Sequence, residues 1–204
     1  MTVFLFSKVL NNARVAPGPT GRGRNCAPEP RQTVIFVPMS LWHGDAAPTH
    51  TVTRPAMYAV FAFAALCLGF HAFSEQGWVP ILDSANLALH EAGHPLVGLL
   101  SERLMVYGGT LFQLAFPVAV AWHFHRREHA VGVAVSLVWL GENLLNVARY
   151  MADARTQALP LVGGGDHDWT EILSRWGWLA ADTWLAGLLR LVATLVIVAA
   201  CVWL

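Results

Sequence analysis

The chain has 204 residues, of which 55% are hydrophobic and 13% are charged, and its formal net charge is zero. The mean hydropathy of +0.48 lies outside the usual range of a water-soluble globular domain. Balanced charge offers no basic surface to nucleic acid, so the composition predicts an integral membrane protein without a nucleic-acid partner.

The first 54 residues differ in composition from the rest of the chain. They contain six of the thirteen lysines and arginines, several prolines and a Pro- and Gly-rich tract at residues 16–23. A segment of this composition cannot bury enough apolar surface to fold alone. We therefore expect residues 1–54 to form a disordered basic segment and residues 55–204 to form a helical membrane domain.

Uncharged apolar runs predict the helices of this membrane domain. Such runs occupy residues 57–73, 104–124 and 130–140, and residues 183–204 are interrupted by Arg190 alone. About 20 helical residues are needed to cross a bilayer core of about 30 Å. A fifth segment, residues 81–100, is less apolar and could either span the membrane or re-enter it. The prediction is an all-α, polytopic bundle of four to five transmembrane helices in the lipid bilayer.

The fifth segment contains the motif His-Glu-Ala-Gly-His, which begins at His90. Residues four apart lie on one face of a helix, so His90 and His94 can both bind one Zn²⁺. Glu91 lies part of a turn away, where its carboxylate can act as general base toward a water molecule. The alternative is a pair of helix histidines that bond to backbone carbonyls and hold no metal.

Polar residues also precede the motif on the same helix face. Asp83 and Asn86 stand seven and four positions before His90, so the polar face continues through them. A carboxylate or amide next to a metal-binding imidazole can fix its orientation. We therefore predict that Asp83 and Asn86 support the metal ligands.

A second polar face runs along the helix that begins at the third apolar run. Four residues lie four, three and four positions apart and share this face: Glu142, Asn146, Arg149 and Asp153. Ionisable groups at membrane depth cost roughly 2.5–3.5 kcal/mol each on insertion scales, which makes them functional candidates. We predict Asp153 as the third metal ligand and Glu142 as the second choice.

The remaining polar groups of this helix have supporting roles in the prediction. Asn143 and Asn146 could donate hydrogen bonds to a substrate carbonyl. Arg149 could support the ligands or contact the substrate. The alternative is internal pairing, in which Arg149 and Asp153 neutralise one another.

Three glycines precede the sequence Asp-His-Asp-Trp at residues 166–169. Glycine permits close backbone approach, and an acidic-His-acidic triplet is typical of metal ligands or of groups that support them. We keep Asp166 as the third choice of metal ligand and His167 as a supporting group. The alternative is a solvated loop that caps the next helix, with Asp168 or Thr170 as the N-cap.

The sequence Leu-His-Glu-Ala-Gly-His in a multi-helix membrane chain resembles the site-2-protease class of intramembrane zinc metallopeptidases, the M50-type peptidases. The resemblance implies that His90 and His94 are zinc ligands and that Glu91 is the general base. It also implies an aspartate on a later membrane helix as third ligand, usually in a Leu-Asp-Gly segment that does not follow His94 here. Residues 142–169 are also similar to uncharacterised bacterial membrane proteins with this motif, which implies the bacterial inner membrane.

Three hypotheses about function follow from these patterns. The first is an integral-membrane zinc metalloprotease that hydrolyses a peptide bond of a membrane or juxtamembrane protein or peptide. The second is a non-proteolytic membrane protein that binds or transports a metal. The third is an inactive relative of the peptidases that acts as a scaffold.

Overall fold

The computed structural model describes residues 52–74, 77–162 and 166–204. These residues form six α-helices and include no strand. The helices are α1 (Arg54–Phe73), α2 (Leu82–Gly98), α3 (Glu102–Arg126), α4 (Ala130–Ala152), α5 (Asp168–Trp176) and α6 (Asp182–Trp203), with a 3-10 turn at Leu179–Ala181. The predicted all-α class is confirmed. The prediction of disorder in the amino-terminal segment lies, up to residue 51, outside the described residues.

Four of these helices are long and apolar enough to span a membrane, namely α1, α3, α4 and α6 together with the turn before it. The chain is therefore a polytopic integral membrane helix bundle, at the lower end of the predicted four to five spans. Helix α2 has 17 residues, or about 26 Å, which is short of a bilayer core of about 30 Å. It continues through Pro95 for three further residues.

Helix α4 is the centre of the bundle and packs against α6, α3 and α1. Half of the residues in its apolar 18-residue stretch are buried, against 17 to 28% of the residues in the corresponding stretches of the other three spans. One core joins α1, α4 and α6 through small and branched side chains, and a second joins α3, α4, α5 and α6. Large exposed hydrophobic side chains cover the outer faces of the spans, as contact with lipid requires.

Helices α2 and α3 cross with their backbones in contact. A Cβ atom placed on Gly93 of α2 would overlap the carbonyl oxygen of Gly108 on α3, and the reverse substitution meets the same obstacle. Small residues at a crossing allow this approach in membrane helices. The crossing brings the next residue of α3, Gly109, against the two histidines of α2.

Candidate metal centre

His90, His94 and Asp168 form a compact cluster of groups able to bind a metal ion. Helix α2 carries the histidines one turn apart, and α5 begins with Asp168. Asp168 Oδ2 lies 2.9 Å from His90 Nε2 and 3.3 Å from His94 Nε2. Ligand atoms about 2.0–2.1 Å from a tetrahedral zinc are separated by about 3.3–3.4 Å, so the cluster is close to that spacing.

The other nitrogen of each imidazole is already bonded. His94 Nδ1 lies 3.0 Å from the carbonyl oxygen of Met105, which can only accept, so Nδ1 carries the hydrogen. His90 Nδ1 lies 3.2 Å from Gln113 Oε1. When the imidazoles are neutral, the Nε2 lone pairs then face the Asp168 carboxylate; when they are protonated, the Nε2–H groups can donate to the same carboxylate instead. Three donor atoms within 4.8 Å of one another can share a cation, and imidazoles fixed through Nδ1 are typical of metal ligands.

The backbone of α3 comes close to the imidazoles of His90 and His94 at Gly109. A Cβ atom on Gly109 would lie 2.5 Å from His90 Nε2 and 2.6 Å from His94 Nε2, closer than unbonded atoms approach. Glycine at this position therefore lets α3 pass directly beside both ligand nitrogens. The residues present therefore fit a metal ion bound by His90, His94 and Asp168.

Charge complementarity within the cluster is visible in the pKa values. The hydrogen bond to Asp168 raises the pKa of His94 above its ordinary value, against the opposing effect of burial. Burial on its own would raise the pKa of Asp168, but the hydrogen bonds from His90 and His94 outweigh it and lower that pKa. Both shifts show that the cluster favours a positive charge beside the carboxylate.

A cavity of about 600 Å³ opens beside the cluster, and His90 and Glu91 are among its lining residues. Glu91 follows His90 on α2 and is half-buried. The opposite wall comes from the end of α4 and from the chain that follows it, including Arg149, Tyr150 and residues 158–162. A cavity lined by both apolar and polar side chains beside the candidate ligands fits a substrate site.

The predicted third ligand, Asp153, does not join the two histidines. Its carboxylate accepts hydrogen bonds from Thr156 Oγ1 at 2.6 Å and from the backbone N–H groups of Ala158 and Leu159 at 2.9 and 3.0 Å. These bonds hold the turn after α4. The geometry thus gives Asp153 a structural position, and Asp168 takes the position beside the histidines because α5 returns the chain to α2.

The two residues before Asp168 also lie outside the cluster. Asp166 is exposed. His167 caps α5, since its Nδ1 accepts a hydrogen bond from the backbone N–H of Thr170 at 3.3 Å. Its Nε2 lies 3.5 Å from Asp153 Oδ2, an ion-pair distance without hydrogen-bond geometry. The cap of α5 is therefore His167, and not Asp168 or Thr170 as the capping alternative predicted.

Most of the other predicted polar residues form a second cluster inside the bundle, which we call the inner cluster. It consists of His71, Asp83, Asn86, Glu142 and Asn143. Asn86 Nδ2 donates to Glu142 Oε2 at 2.7 Å, and Glu142 Oε1 lies 3.4 Å from His71 Nε2. Asp83 Oδ2 accepts from the backbone N–H of Val79 at 2.6 Å. Asn143 donates to Asn86 and to a backbone carbonyl of α4, so Glu142 and Asn143 lie away from the histidine pair.

One hydrogen-bonded path connects the inner cluster to the metal centre. Asn146 Nδ2 donates to Asp83 Oδ1 at 3.1 Å, and Gln113 Nε2 donates to Asn146 Oδ1 at 3.3 Å. Gln113 Oε1 then contacts His90 Nδ1. Asp83 and Asn146 therefore support a ligand imidazole indirectly, through a residue of α3.

Sequence reasoning missed three residues of the centre. Asp168 lies in the acidic-His-acidic triplet that the sequence indicates as ligands or supporting groups, but within that triplet the sequence favours Asp166 as the ligand. Gln113 is buried and is a rare polar residue in the uncharged run of α3, which is the signal that could have identified it. Gly109 belongs to the Gly-Gly pair at residues 108–109. Such a pair predicts that another helix packs closely here, but it does not indicate which side chains of that helix lie against it.

Comparison of the chain with protein-family models, with curated proteins and with solved structures gives no match.

Proposed function

We propose that this integral membrane protein is a zinc metallopeptidase, with His90, His94 and Asp168 as metal ligands and Glu91 as general base. Its substrate is a membrane or juxtamembrane peptide bond, and its location is the bacterial inner membrane. The observation that carries the proposal is the convergence of two Nε2 lone pairs and one carboxylate oxygen beside a cavity. The resemblance of the histidine motif to the M50-type class supports the same reaction.

The ligand set favours zinc among the common metals. Two imidazoles and one carboxylate leave a fourth position open in tetrahedral coordination, which is the arrangement of catalytic zinc sites. Bound there, zinc supplies a Lewis acid that polarises a peptide carbonyl and lowers the pKa of water to about 7.

The chain's own residues supply the remaining steps. Glu91 lines the cavity next to the ligand His90, so its carboxylate can accept the proton of the attacking water and return it to the leaving amine. Gln113 and the Met105 carbonyl hold the imidazoles in the orientation that points Nε2 into the centre. The apolar wall of the cavity excludes bulk water from the peptide bond.

The test uses the purified full chain in detergent with zinc and a panel of fluorogenic transmembrane peptides. We expect the wild type to cleave at least one peptide, and Glu91→Gln to lower the rate by about 100- to 10,000-fold, the usual contribution of a general base. Zinc stoichiometry should stay unchanged in Glu91→Gln. Glu128→Gln, at an exposed position between α3 and α4, is the matched control.

Retention of full cleavage by Glu91→Gln would contradict the assignment of the base. Stoichiometric zinc without cleavage of any peptide would instead favour the non-proteolytic hypothesis. In that case zinc flux into proteoliposomes should survive Glu91→Gln and be lost in His90→Ala.

A further inference from the structure

The cavity beside the metal centre contains a cationic group that the proposed chemistry does not use. Arg149 lines it together with His90 and Glu91. A Cβ atom at Gly77 would lie 3.4 Å from Arg149 Cδ, so the arginine stem runs along the loop before α2. The side chain is half-buried, near the carboxyl end of α4. It therefore sits on the cavity wall at the level where a membrane span ends.

Arg149 has no acidic partner among the described residues. The arginine ion pairs of this part of the chain are Arg155 with Asp182 and Arg175 with Glu171. Asp153, one turn further along α4, is bonded instead to Thr156 and to the turn that follows it. The predicted pairing of Arg149 with Asp153 is thus not formed.

The two carboxylates that line the cavity with Arg149 have other hydrogen-bond partners or another proposed role. Asp83 accepts from Val79 and from Asn146, and it belongs to the inner cluster. Glu91 is the proposed base and lies beside the metal ligands. An unpaired arginine near membrane depth is costly, so an arginine with no acidic partner in the described part of the chain is a candidate for binding substrate.

The other residues that line the cavity indicate what kind of molecule would bring an anionic group to Arg149. Eight lining residues are apolar or aromatic: Trp78, Leu87, Tyr150, Ala158, Leu159, Pro160, Leu161 and Val162. A cavity of about 600 Å³ is large enough for a short peptide segment. The occupant that fits is an apolar peptide with one carboxylate.

We propose that Arg149 is a specificity residue that binds a carboxylate of the peptide substrate, either a free carboxyl terminus or an acidic side chain near the cleaved bond. A guanidinium can bind a carboxylate through two parallel N–H···O bonds, which lysine cannot reproduce. The inference rests on the proposed peptidase function for its substrate class. Binding of the carboxylate by Arg149, however, requires neither zinc nor turnover.

The experiment measures binding to the full chain carrying Glu91→Gln, so that no substrate is consumed. Three fluorescein-labelled apolar hexapeptides are compared by anisotropy: one with a free carboxyl terminus, one amidated, and one amidated with Glu as its last residue. At least one of the two carboxylate peptides should bind about 10- to 100-fold more tightly than the neutral peptide. The tighter of the two identifies the source of the carboxylate.

Substitutions at Arg149 assign the preference to this side chain. Arg149→Gln should remove the preference and leave affinity for the neutral peptide unchanged, which also shows that the variant is folded. Arg149→Lys should retain part of the preference, because it keeps the charge without the paired bonds. Arg127→Gln, at an exposed position after α3, is the matched control and should retain all of it.

Two results would overturn the inference. The first is equal binding of all three peptides to the parent protein, and the second is a preference that survives Arg149→Gln. The outcome is separate from that of the proposed function. If the protein prefers carboxylate peptides but the wild type hydrolyses none, the proposed carboxylate site stands and the peptidase function does not. If the wild type hydrolyses peptides but shows no carboxylate preference, only the role proposed for Arg149 is overturned.

Discussion

The two polar clusters lie at opposite ends of one face of α2 and differ in what their groups contact. In the inner cluster the Glu142 carboxylate accepts a hydrogen bond from Asn86, and Asp83 accepts from a backbone N–H group, so the acidic groups are satisfied. In the metal centre the imidazoles of His90 and His94 donate through Nδ1 to residues of α3 and turn Nε2 toward Asp168. The first arrangement satisfies its acceptor oxygens through hydrogen bonds within the bundle, whereas the second fits a bound cation.

Helix periodicity places polar residues on one face, and the neighbouring helices decide which of them are available to bind a metal. Asp83, Asn86, His90 and His94 share spacings of three and four residues. Amides of α4 surround the first two, and a carboxylate of α5 meets the last two. Substitutions in the two clusters should therefore affect different properties, zinc affinity in one and stability in the other.

The largest effect is expected at Asp168, the proposed third metal ligand. Asp168→Asn replaces an anionic ligand by a neutral amide, and we expect zinc affinity to fall by at least about 100-fold, beyond the 10- to 100-fold typical of a lost supporting group. Metal analysis and chelator competition on the purified protein measure it. Asp153→Asn is the matched control and should retain zinc. If Asp153→Asn lost zinc and Asp168→Asn retained it, Asp153 and not Asp168 would be the third ligand.

Removal of the acceptor for His90 should have the next effect. In Gln113→Leu, His90 Nδ1 loses the oxygen that fixes the imidazole, and we expect zinc affinity to fall by about 10- to 100-fold. The same chelator competition applies. Gln113→Glu keeps an acceptor at this position and should lose less; equal losses in both variants would show that the contact to His90 does not matter.

The space at Gly109 offers a test that removes no polar group. In Gly109→Ala the added Cβ would lie 2.5 and 2.6 Å from the Nε2 atoms of His90 and His94, and overpacking of this kind costs about 1–3 kcal/mol, or about 5- to 150-fold in zinc affinity. Gly187→Ala is the control, because a Cβ there meets nothing within 4 Å. A Gly109→Ala protein that binds zinc like the wild type would place the metal elsewhere.

The inner cluster should respond in stability instead. Glu142→Leu leaves Asn86 and His71 buried without their acceptor, and we expect a loss of about 1–3 kcal/mol in the free energy of unfolding. Thermal unfolding in detergent measures the change, with zinc affinity as the second readout. Glu142→Gln keeps one acceptor oxygen and should cost less. If Glu142→Leu lost zinc but kept its stability, the two clusters would not have the separate roles described here.

Hydropathy was sufficient to predict the membrane helices. The uncharged runs 57–73, 104–124 and 183–204 end within a few residues of α1, α3 and α6, because bilayer thickness limits both the length and the charge of a span. The continuous polar face of α4 also follows from its spacing. Residues 81–100 could not be assigned in the same way, since α2 carries polar groups that only its neighbours satisfy.

The candidate site could be predicted only where its residues belong to one helix. His90 and His94 come together through local geometry alone, so a four-residue spacing was sufficient to pair them. Asp168 reaches them through the turn held by Asp153 and through α5, and no local pattern determines how that segment folds back. The long-range contacts of Gln113 and Gly109 depend in the same way on where α2 and α3 cross.

The smallest effect is expected at Asp153, the carboxylate that holds the turn. Burial raises its pKa, but hydrogen bonds from Thr156 and from the N–H groups of Leu159 and Ala158 outweigh burial, so the pKa lies below its ordinary value. A lowered pKa stabilises the fold above the unfolded-state value of about 3.9, and this stabilisation is lost as the pH falls through the folded-state pKa.

Asp153→Asn should therefore lower the free energy of unfolding by about 1 kcal/mol at pH 7. The difference from the wild type should shrink as the pH falls below about 4, because the wild-type carboxylate is then protonated. Urea unfolding in detergent at several pH values measures it. A difference independent of pH would mean that shape, and not charge, holds the turn that brings Asp168 to the histidines.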